Sequence, residues 1–364
     1  TEGTVSGTIS STERVSSLTG LTGNNAYQIT ISEEDATTTS VSDLNNIVGL
    51  TSLAIDASAI TTLAFENITD IKNILKAGND RAQFSSGSFS QLTEVSIFNP
   101  EGYLENNPDL VPFFGSNLVA ATAHYINNGF NEGRNDGSID LADLNEVITL
   151  ANVATDSTIT VVEISSGATL IAESASDLST LVINQKNNQV SITNQNFIID
   201  SNEKIDISTA AELSDITEGT VTASIETDTP VANLATLEGT NAYTIKIALS
   251  DATGSTAKQL LAIDNATTVT VDASAITSIE GTFEEITALY SSSGISDLGD
   301  ENIIIDGDLT VGEANIIDGL TEGTVSGTIR STERVSSLTG LTGNNAYQIT
   351  ISDEITKSDE LITI

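Results

Sequence analysis

Apolar and polar positions follow two rhythms along this chain. GTVTASI (219–225), AYTIKIA (242–248), TTVTVDA (267–273) and NIIIDG (302–307) are rich in Val, Ile, Thr or Tyr and predict strands. Between them TAKQLLAID (256–264), TFEEITALYSS (282–292) and LTVGEANIIDGL (309–320) predict helices. The last two space Phe283, Ile286, Leu289 and Tyr290, then Val311, Ala314, Ile316, Ile317 and Leu320, as one face of a helix does. Thr282 ahead of Glu284 and Glu285, and Thr310 three residues before Glu313, supply capping hydroxyls and acids for helix N-termini. Strand, helix, strand in succession is the spacing of parallel βα units, whose crossovers are right-handed. The expected fold is therefore α/β, a right-handed parallel βα solenoid of tandem repeats. A string of Ig-like β-sandwiches is the alternative, disfavoured because sandwiches do not require amphipathic helices at 282–292 and 309–320.

Repetition supports the solenoid. Residues 1–32, TEGTVSGTISSTERVSSLTGLTGNNAYQITIS, recur at 321–352 with Ser10 replaced by Arg330, 31 identities in 32. A third copy starts at Thr217 and keeps Gly3, Val5, Ile9, Val15, Leu18, Leu21, Tyr27, Ile29 and Ile31 at an offset of 216, which also carries IDASAIT (55–61) onto VDASAIT (271–277). The longer copy runs in step through AYQITIS (26–32), VSDLNNIVGL (41–50), SLAIDA (52–57) and FENITDIKNILKA (65–77). It then carries an insertion at 81–201, after which NEKIDISTAAELSDI (202–216) places a helix before TEGT, as 306–320 does. Within the insertion, GSIDLADLNEVITL (137–150) and STITVVEI (157–164) read as one more helix and strand. The expected organisation is a repeat module over 1–80, a connecting segment over 81–97, a small helical insert over 98–136, resumed repeats over 137–216, a shorter module over 217–320 and the start of another repeat over 321–364.

Composition narrows the function. Twelve Lys and Arg face 51 Asp and Glu, a net charge of −39. That excludes nucleic-acid binding by phosphate neutralisation and argues against a basic membrane-binding patch. Cys, Met and Trp are absent and there is one His, His124. Disulfide scaffolds, thiolate sites and His-based metal cages are thereby removed. No run of 18 apolar residues occurs, so no helical transmembrane segment is expected. A chain without Met reads as an internal piece, with any secretion signal or anchor expected outside these residues, and the acidic, Cys-free, Thr/Ser/Asn-rich composition suits an extracellular bacterial location.

The insert differs from its surroundings. FNPEGYLENNPDLVPFFGSNLVAATAHYINNGFNEGR (98–134) holds Pro100, Pro108 and Pro112, three of the four prolines. YLxxNPDL followed by HYxxxGFxEGR resembles a small helical motif of giant secreted bacterial proteins, including cyanobacterial and proteobacterial surface proteins and RTX-type calcium-associated adhesins. The (I/V)DASAIT boxes and flanking helices are similar to repeats of very large cyanobacterial cell-surface proteins. The resemblance implies an extracellular, structural, adhesive or surface-layer role and supplies no catalytic residue.

Among chemistries, calcium fits best, because hard cations take oxygen ligands. The candidate ligands are Asp56, Asp272, Asp306, Asp308, Asp136, Asp140 and Asp143. Their spacing matches no named calcium loop: with Gly137 as the turn glycine of an EF-hand, Glu132 opens the loop but Arg134 falls on a ligand position. The alternative is that these Asp side chains make turns and caps. His124, without a second His, is read as a packing residue of the insert. GLTGNN (20–25) lacks the Lys of a phosphate loop, and the acidic pairs Glu33–Glu34 and Glu284–Glu285 read as solvated faces. No enzyme is expected. Two functions remain: a structural repeat protein that self-associates into a filament, stalk or surface layer of a bacterial cell, or an adhesin whose 98–136 insert contacts a cell-surface polysaccharide or another surface protein.

Overall fold

The structure is a computed structural model that describes residues 4–10, 13–18, 20–22, 25–32, 39–80, 82–129, 132, 134, 137–154 and 160–351. The chain divides into two compact units, Thr1–Glu203 with Asp215–Thr220, and Lys204–Ser214 with Val221–Ile364.

In the first unit the elements are β1 (Ser6–Thr8), α1 (Val15–Leu18), β2 (Ala26–Gln28), α2 (Val41–Ile47), β3 (Thr62–Glu66), α3 (Ile68–Asn79), β4 (Glu94–Ile97), α4 (Pro100–Asn106), α5 (Val111–Phe114), α6 (Leu118–His124), β5 (Ser138–Asp140), α7 (Leu141–Ala154), β6 (Val161–Ile164), β7 (Thr169–Ala172), α8 (Ala175–Lys186), β8 (Val190–Ser191) and β9 (Asn196–Ile199). Two parallel ladders grow side by side, β3-β4-β6-β8 and β5-β7-β9. From β5 onward each pass of the chain gives a helix and one strand to each ladder. The register locates the insertion: Thr62 pairs with Glu94, 32 positions on, whereas Glu94 pairs with Val161, 67 positions on. The excess is α4–α6 and their loops. Helices α3, α7 and α8 pack in series, burying Ile71, Ile74, Leu75, Leu144, Val147, Ile148, Leu178 and Leu181 beneath them. Each such side chain is worth about 1.5–3 kcal/mol when fully buried. Asn side chains tie successive helices at their first turns, Asn45 to the Asp70 carbonyl at 3.3 Å and Asn145 to that of Asp177 at 3.0 Å.

The second unit contains β10 (Lys204–Ile205), α9 (Ile207–Ile216), β11 (Val221–Ile225), α10 (Val231–Leu234), β12 (Ala242–Thr244), β13 (Ser255–Thr256), α11 (Ala257–Ala266), β14 (Val271–Asp272), β15 (Ser278–Gly281), α12 (Phe283–Ser291), β16 (Ile295–Ser296), β17 (Asn302–Leu309), α13 (Val311–Asp318), β18 (Val325–Ile329), α14 (Val335–Leu338) and β19 (Ala346–Ile349). Its ladders are β10-β11-β12, β13-β15-β17-β18-β19 and β14-β16, all parallel. Every pairing described within the two units is parallel, so the alternative of Ig-like sandwiches, built on antiparallel sheets, does not describe this chain. Capping boxes start α11, α12 and α13 at Thr256, Thr282 and Thr310. Ile286, Leu289, Ala314 and Ile317 are buried as their spacing predicts, but Ile316 is 52% exposed, on the flank of its helix away from the sheet. No helix among the described residues is long and apolar enough to cross a membrane.

The TEGT signature has a physical basis. The Thr217 and Thr321 hydroxyls donate to the carbonyls of Gln195 and Glu301 at 2.6 and 2.7 Å. At the following glycines a Cβ would lie 2.3 Å from the Gln195 oxygen and 2.2 Å from that of Glu301, so only Gly219 and Gly323 allow the approach. One residue beyond the second Thr, a Val amide donates to the Oδ1 of an Asn twenty positions downstream: Val5 to Asn25 at 3.0 Å, Val221 to Asn241 at 2.9 Å and Val325 to Asn345 at 2.8 Å. The Asn-to-amide bond is thus common to all three copies, and the Thr and Gly contacts to the second and third.

Candidate functional site

The helical insert begins where β4 ends. Asn99 caps α4 by accepting from Gly102 N at 2.9 Å, with Pro100 in the first turn, where its missing N–H costs nothing. The Asn99 amide also donates to the Ser138 carbonyl at 2.9 Å, closing the insert's neck. Gly137, at φ +100°, passes so close that a Cβ would stand 2.6 Å from the Gly102 Cα.

Aromatic residues fill the insert. Phe98 stacks on Tyr125 with centroids 4.3 Å apart, Tyr103 meets Tyr125 edge-on at 5.3 Å, and Leu104, Leu110 and Ala121 complete the cluster. Tyr103 Oη lies 2.8 Å from His124 Nδ1, and burial raises the phenol above its ordinary pKa while nearby Arg134 opposes that rise. Gly129 backs the same hydroxyl, since a Cβ there would sit 2.2 Å from it. Arg134 donates to both Asp109 oxygens at 3.0 and 2.9 Å, to Asn107 Oδ1 at 3.4 Å and to Glu132 Oε2, and these carboxylates raise its pKa. Arg134 therefore clasps the NPDL turn to the end of the motif, and His124 is a half-buried packing residue against Tyr103 and Phe114. On the outside, Phe113 is 80% and Val111 45% exposed on α5. That apolar pair was not singled out from the sequence, although VPFF after a proline-rich turn is its signal.

The candidate calcium ligands are dispersed. Asp56 Oδ1 accepts from Ser58 N at 3.0 Å, making a turn. Asp272 does the same for Ser274 and binds Lys246 at 2.6 Å, which holds its carboxyl down at about 2. Asp140 accepts from Ala142 N at 2.8 Å and Asp143 N at 3.2 Å at the start of α7. Asp143 pairs with Lys72, which also reaches Glu146. Asp306 and Asp308 flank Gly307, φ +116°, at a bulge in β17 and point outward. Asp136 lies outside the described residues. Asp140 and Asp143 meet through the Asp143 N to Asp140 Oδ1 bond, and among the described residues no group of three His, Asp or Glu side chains converges as a metal cage would. In the second unit Asp297, Asp300 and Glu322 edge an open acidic depression of about 440 Å³.

No protein-family model, curated protein or solved structure matches this chain.

Proposed function

We propose that the chain is a structural repeat protein of a bacterial cell surface, a right-handed βα solenoid whose coils stack into a filament, stalk or surface layer. One observation carries this reading: the same Asn-to-amide bond recurs in three copies of the repeat, and two Thr-to-carbonyl bonds recur in two copies each, so specific polar residues are placed at contacts between successive passes of the chain. The Asn acceptors at 25, 241 and 345 and the Thr donors at 51, 267, 217 and 321 all serve a neighbouring coil. Repeats that contact their neighbours alone extend without limit, which suits an array. Calcium or another divalent cation serves this assembly as a counter-ion along acidic coil edges, relieving a charge of −39. Electron microscopy of the purified natural protein is the test: a periodic filament or lattice supports the reading, and dispersed single particles at high concentration refute it.

Exposed Phe113 and Val111 favour a second reading, an adhesin whose insert presents α5 to a surface polysaccharide or protein. Deleting 98–136 would then abolish cell-surface binding and leave assembly intact.

A further inference from the structure

Two positions that the repeat makes equivalent carry different side chains. The carbonyls of Gln195 and Glu301 each accept the hydroxyl of the Thr that opens the next TEGT, Thr217 and Thr321. In both residues one side-chain oxygen accepts from the amide two positions back, Thr193 N for Gln195 and Gly299 N for Glu301, at 2.8 Å each. The other end of the side chain is where they part. Gln195 Nε2 donates to the carbonyls of Ile164 and Ser165 at 3.0 and 3.1 Å. Because β6 sets Glu163 opposite Ser191 and β14 sets Asp272 opposite Ser296, the corresponding carbonyls in the second unit are those of Ala273 and Ser274. Glu301 has the length of Gln195, so its Oε1 takes the place of the amide nitrogen and turns an acceptor toward acceptors. Glu301 is fully buried, and Oε1 has no hydrogen-bond partner. An uncompensated carboxylate oxygen in that position is costly.

What lies beyond Oε1 is acidic. Ser274, Asp297, Gly299, Asp300 and Glu322 line the open depression of about 440 Å³. Gly299 is the residue whose amide Glu301 holds, and Ser274 carries one of the two corresponding carbonyls, so the unpartnered oxygen points at the inner wall of the depression. We propose that Glu301 Oε1 and the main-chain oxygens of Ala273 and Ser274 bind one divalent cation, calcium in class, which enters through this depression, where Asp297, Asp300 and Glu322 add charge through bridging water. The assignment rests on the counter-ion role in the structural reading and gives that ion one place. Among the described residues the acids do not converge on a cage, and the site needs none. Calcium accepts carboxylate, carbonyl and water oxygens in irregular number, whereas magnesium demands an octahedron. The ion converts an acceptor-on-acceptor contact into bonds to one shared centre. In the first unit the Gln195 amide makes those bonds itself, so the same turn there takes no cation.

Terbium, which replaces calcium and is sensitised by a neighbouring tyrosine, tests this in the full chain, since there is no Trp and Tyr290 Oη lies 2.7 Å from Glu301 Oε2. Wild type should give a saturable luminescence on excitation of tyrosine, displaced by calcium. Glu301→Gln places in the second unit the side chain that the fold already carries at 195, and it should bind terbium at least ~10-fold more weakly, affinity being set by ligand charge. Unfolding gives a second readout. In chelator Glu301→Gln should be the more stable protein; calcium should then raise the midpoint of wild type and leave the variant where sodium chloride of equal ionic strength leaves it. Equal terbium signals from the two proteins overturn the site and leave a diffuse counter-ion and the array standing. A midpoint gap that calcium does not change also overturns it, as when a proton on Oε1 meets the carbonyls instead of a metal. A calcium response lost in Glu301→Gln, together with no filament from the natural protein, supports the site and contradicts the array.

Discussion

Glu301 occupies the turn position that Gln195 occupies one module earlier, and only Gln195 satisfies both ends of its side chain. Gln195 Oε1 accepts from Thr193 N and Asn194 N at 2.8 and 3.2 Å, while its Nε2 donates to the Ile164 and Ser165 carbonyls at 3.0 and 3.1 Å. Glu301 is fully buried, and its Oε2 accepts from Tyr290 Oη at 2.7 Å and Gly299 N at 2.8 Å. Its Oε1 has no hydrogen-bond partner. Burial, then the carboxylate beside it, pushes the Tyr290 phenol up. Glu301→Gln should therefore raise stability by about 1–3 kcal/mol, the cost of a buried unsatisfied polar atom, as read by denaturant unfolding. A fall in stability would show that the carboxylate charge is needed there.

The Asn acceptors make a second prediction. Asn241 is 4% exposed and holds the amide of fully buried Val221, while its own amide reaches Ser214 Oγ at 3.2 Å and Glu238 O at 3.4 Å. Asn241→Ala strands a buried donor and should cost roughly 1–3 kcal/mol. Asn345→Ala, at a more exposed position, should cost less in the same unfolding experiment.

Acid should expose two ion pairs. Lys72 and Lys76 lower Glu146 from 4.5 to about 2, and Lys246 with Ser274 lowers Asp272 from 3.8 to about 2. A carboxyl held down in the folded state stabilises above its unfolded pKa, and that contribution is lost as pH falls toward the folded value. The stability gap between wild type and Lys246→Ala, and that between wild type and Lys72→Ala, should be constant above about pH 5 and close as the pH approaches 2. Comparing variants removes the opposing effect of neutralising the other acids. A gap independent of pH would show that these lysines act by packing alone.

The insert should unfold separately from the parallel ladders beside it. Gly129→Ala drives a methyl into Tyr103 Oη, and overpacking of this kind costs about 1–3 kcal/mol. Hydrogen exchange should show protection lost over α4–α6 and retained in β6–β9. Phe113→Ala, on an 80% exposed ring, should leave stability within about 0.5 kcal/mol. If the adhesin reading holds, that variant loses surface binding.

The helices of the second unit were legible because local signals suffice for them. Thr282 and Thr310 cap where hydroxyl and acid spacing places them, and NIIIDG lies within β17; the equivalent box at Thr256 and Gln259 was not singled out. The strands are shorter than their apolar runs. TTVTVDA contributes Val271–Asp272 to β14 and a separate bridge at Thr267, because the chain turns within the run; likewise SLAIDA makes bridges at Ile55 and Asp56 alone. The division of the strands between separate parallel ladders was not legible, since which apolar stretch continues a strand and which turns a corner depends on the elements packed against it. Val5 is 45% exposed beside β1, whose residues are also exposed, whereas its equivalents Val221 and Val325 are fully buried, so one repeat sequence does not fix one burial. At the candidate sites the acidic turns were readable at Asp56, Asp272 and Asp140. The pairing of Asp143 with Lys72, 71 positions away, was not, because a contact between stacked helices leaves no local trace.

Stacked parallel coils continuing from copy to copy are the centre of this account, and fibre diffraction from oriented, concentrated protein tests them most directly. Strands that run across the array axis and stack along it should give a meridional reflection at about 4.8 Å. A pattern without that reflection, or with it perpendicular to the fibre axis, would contradict the array.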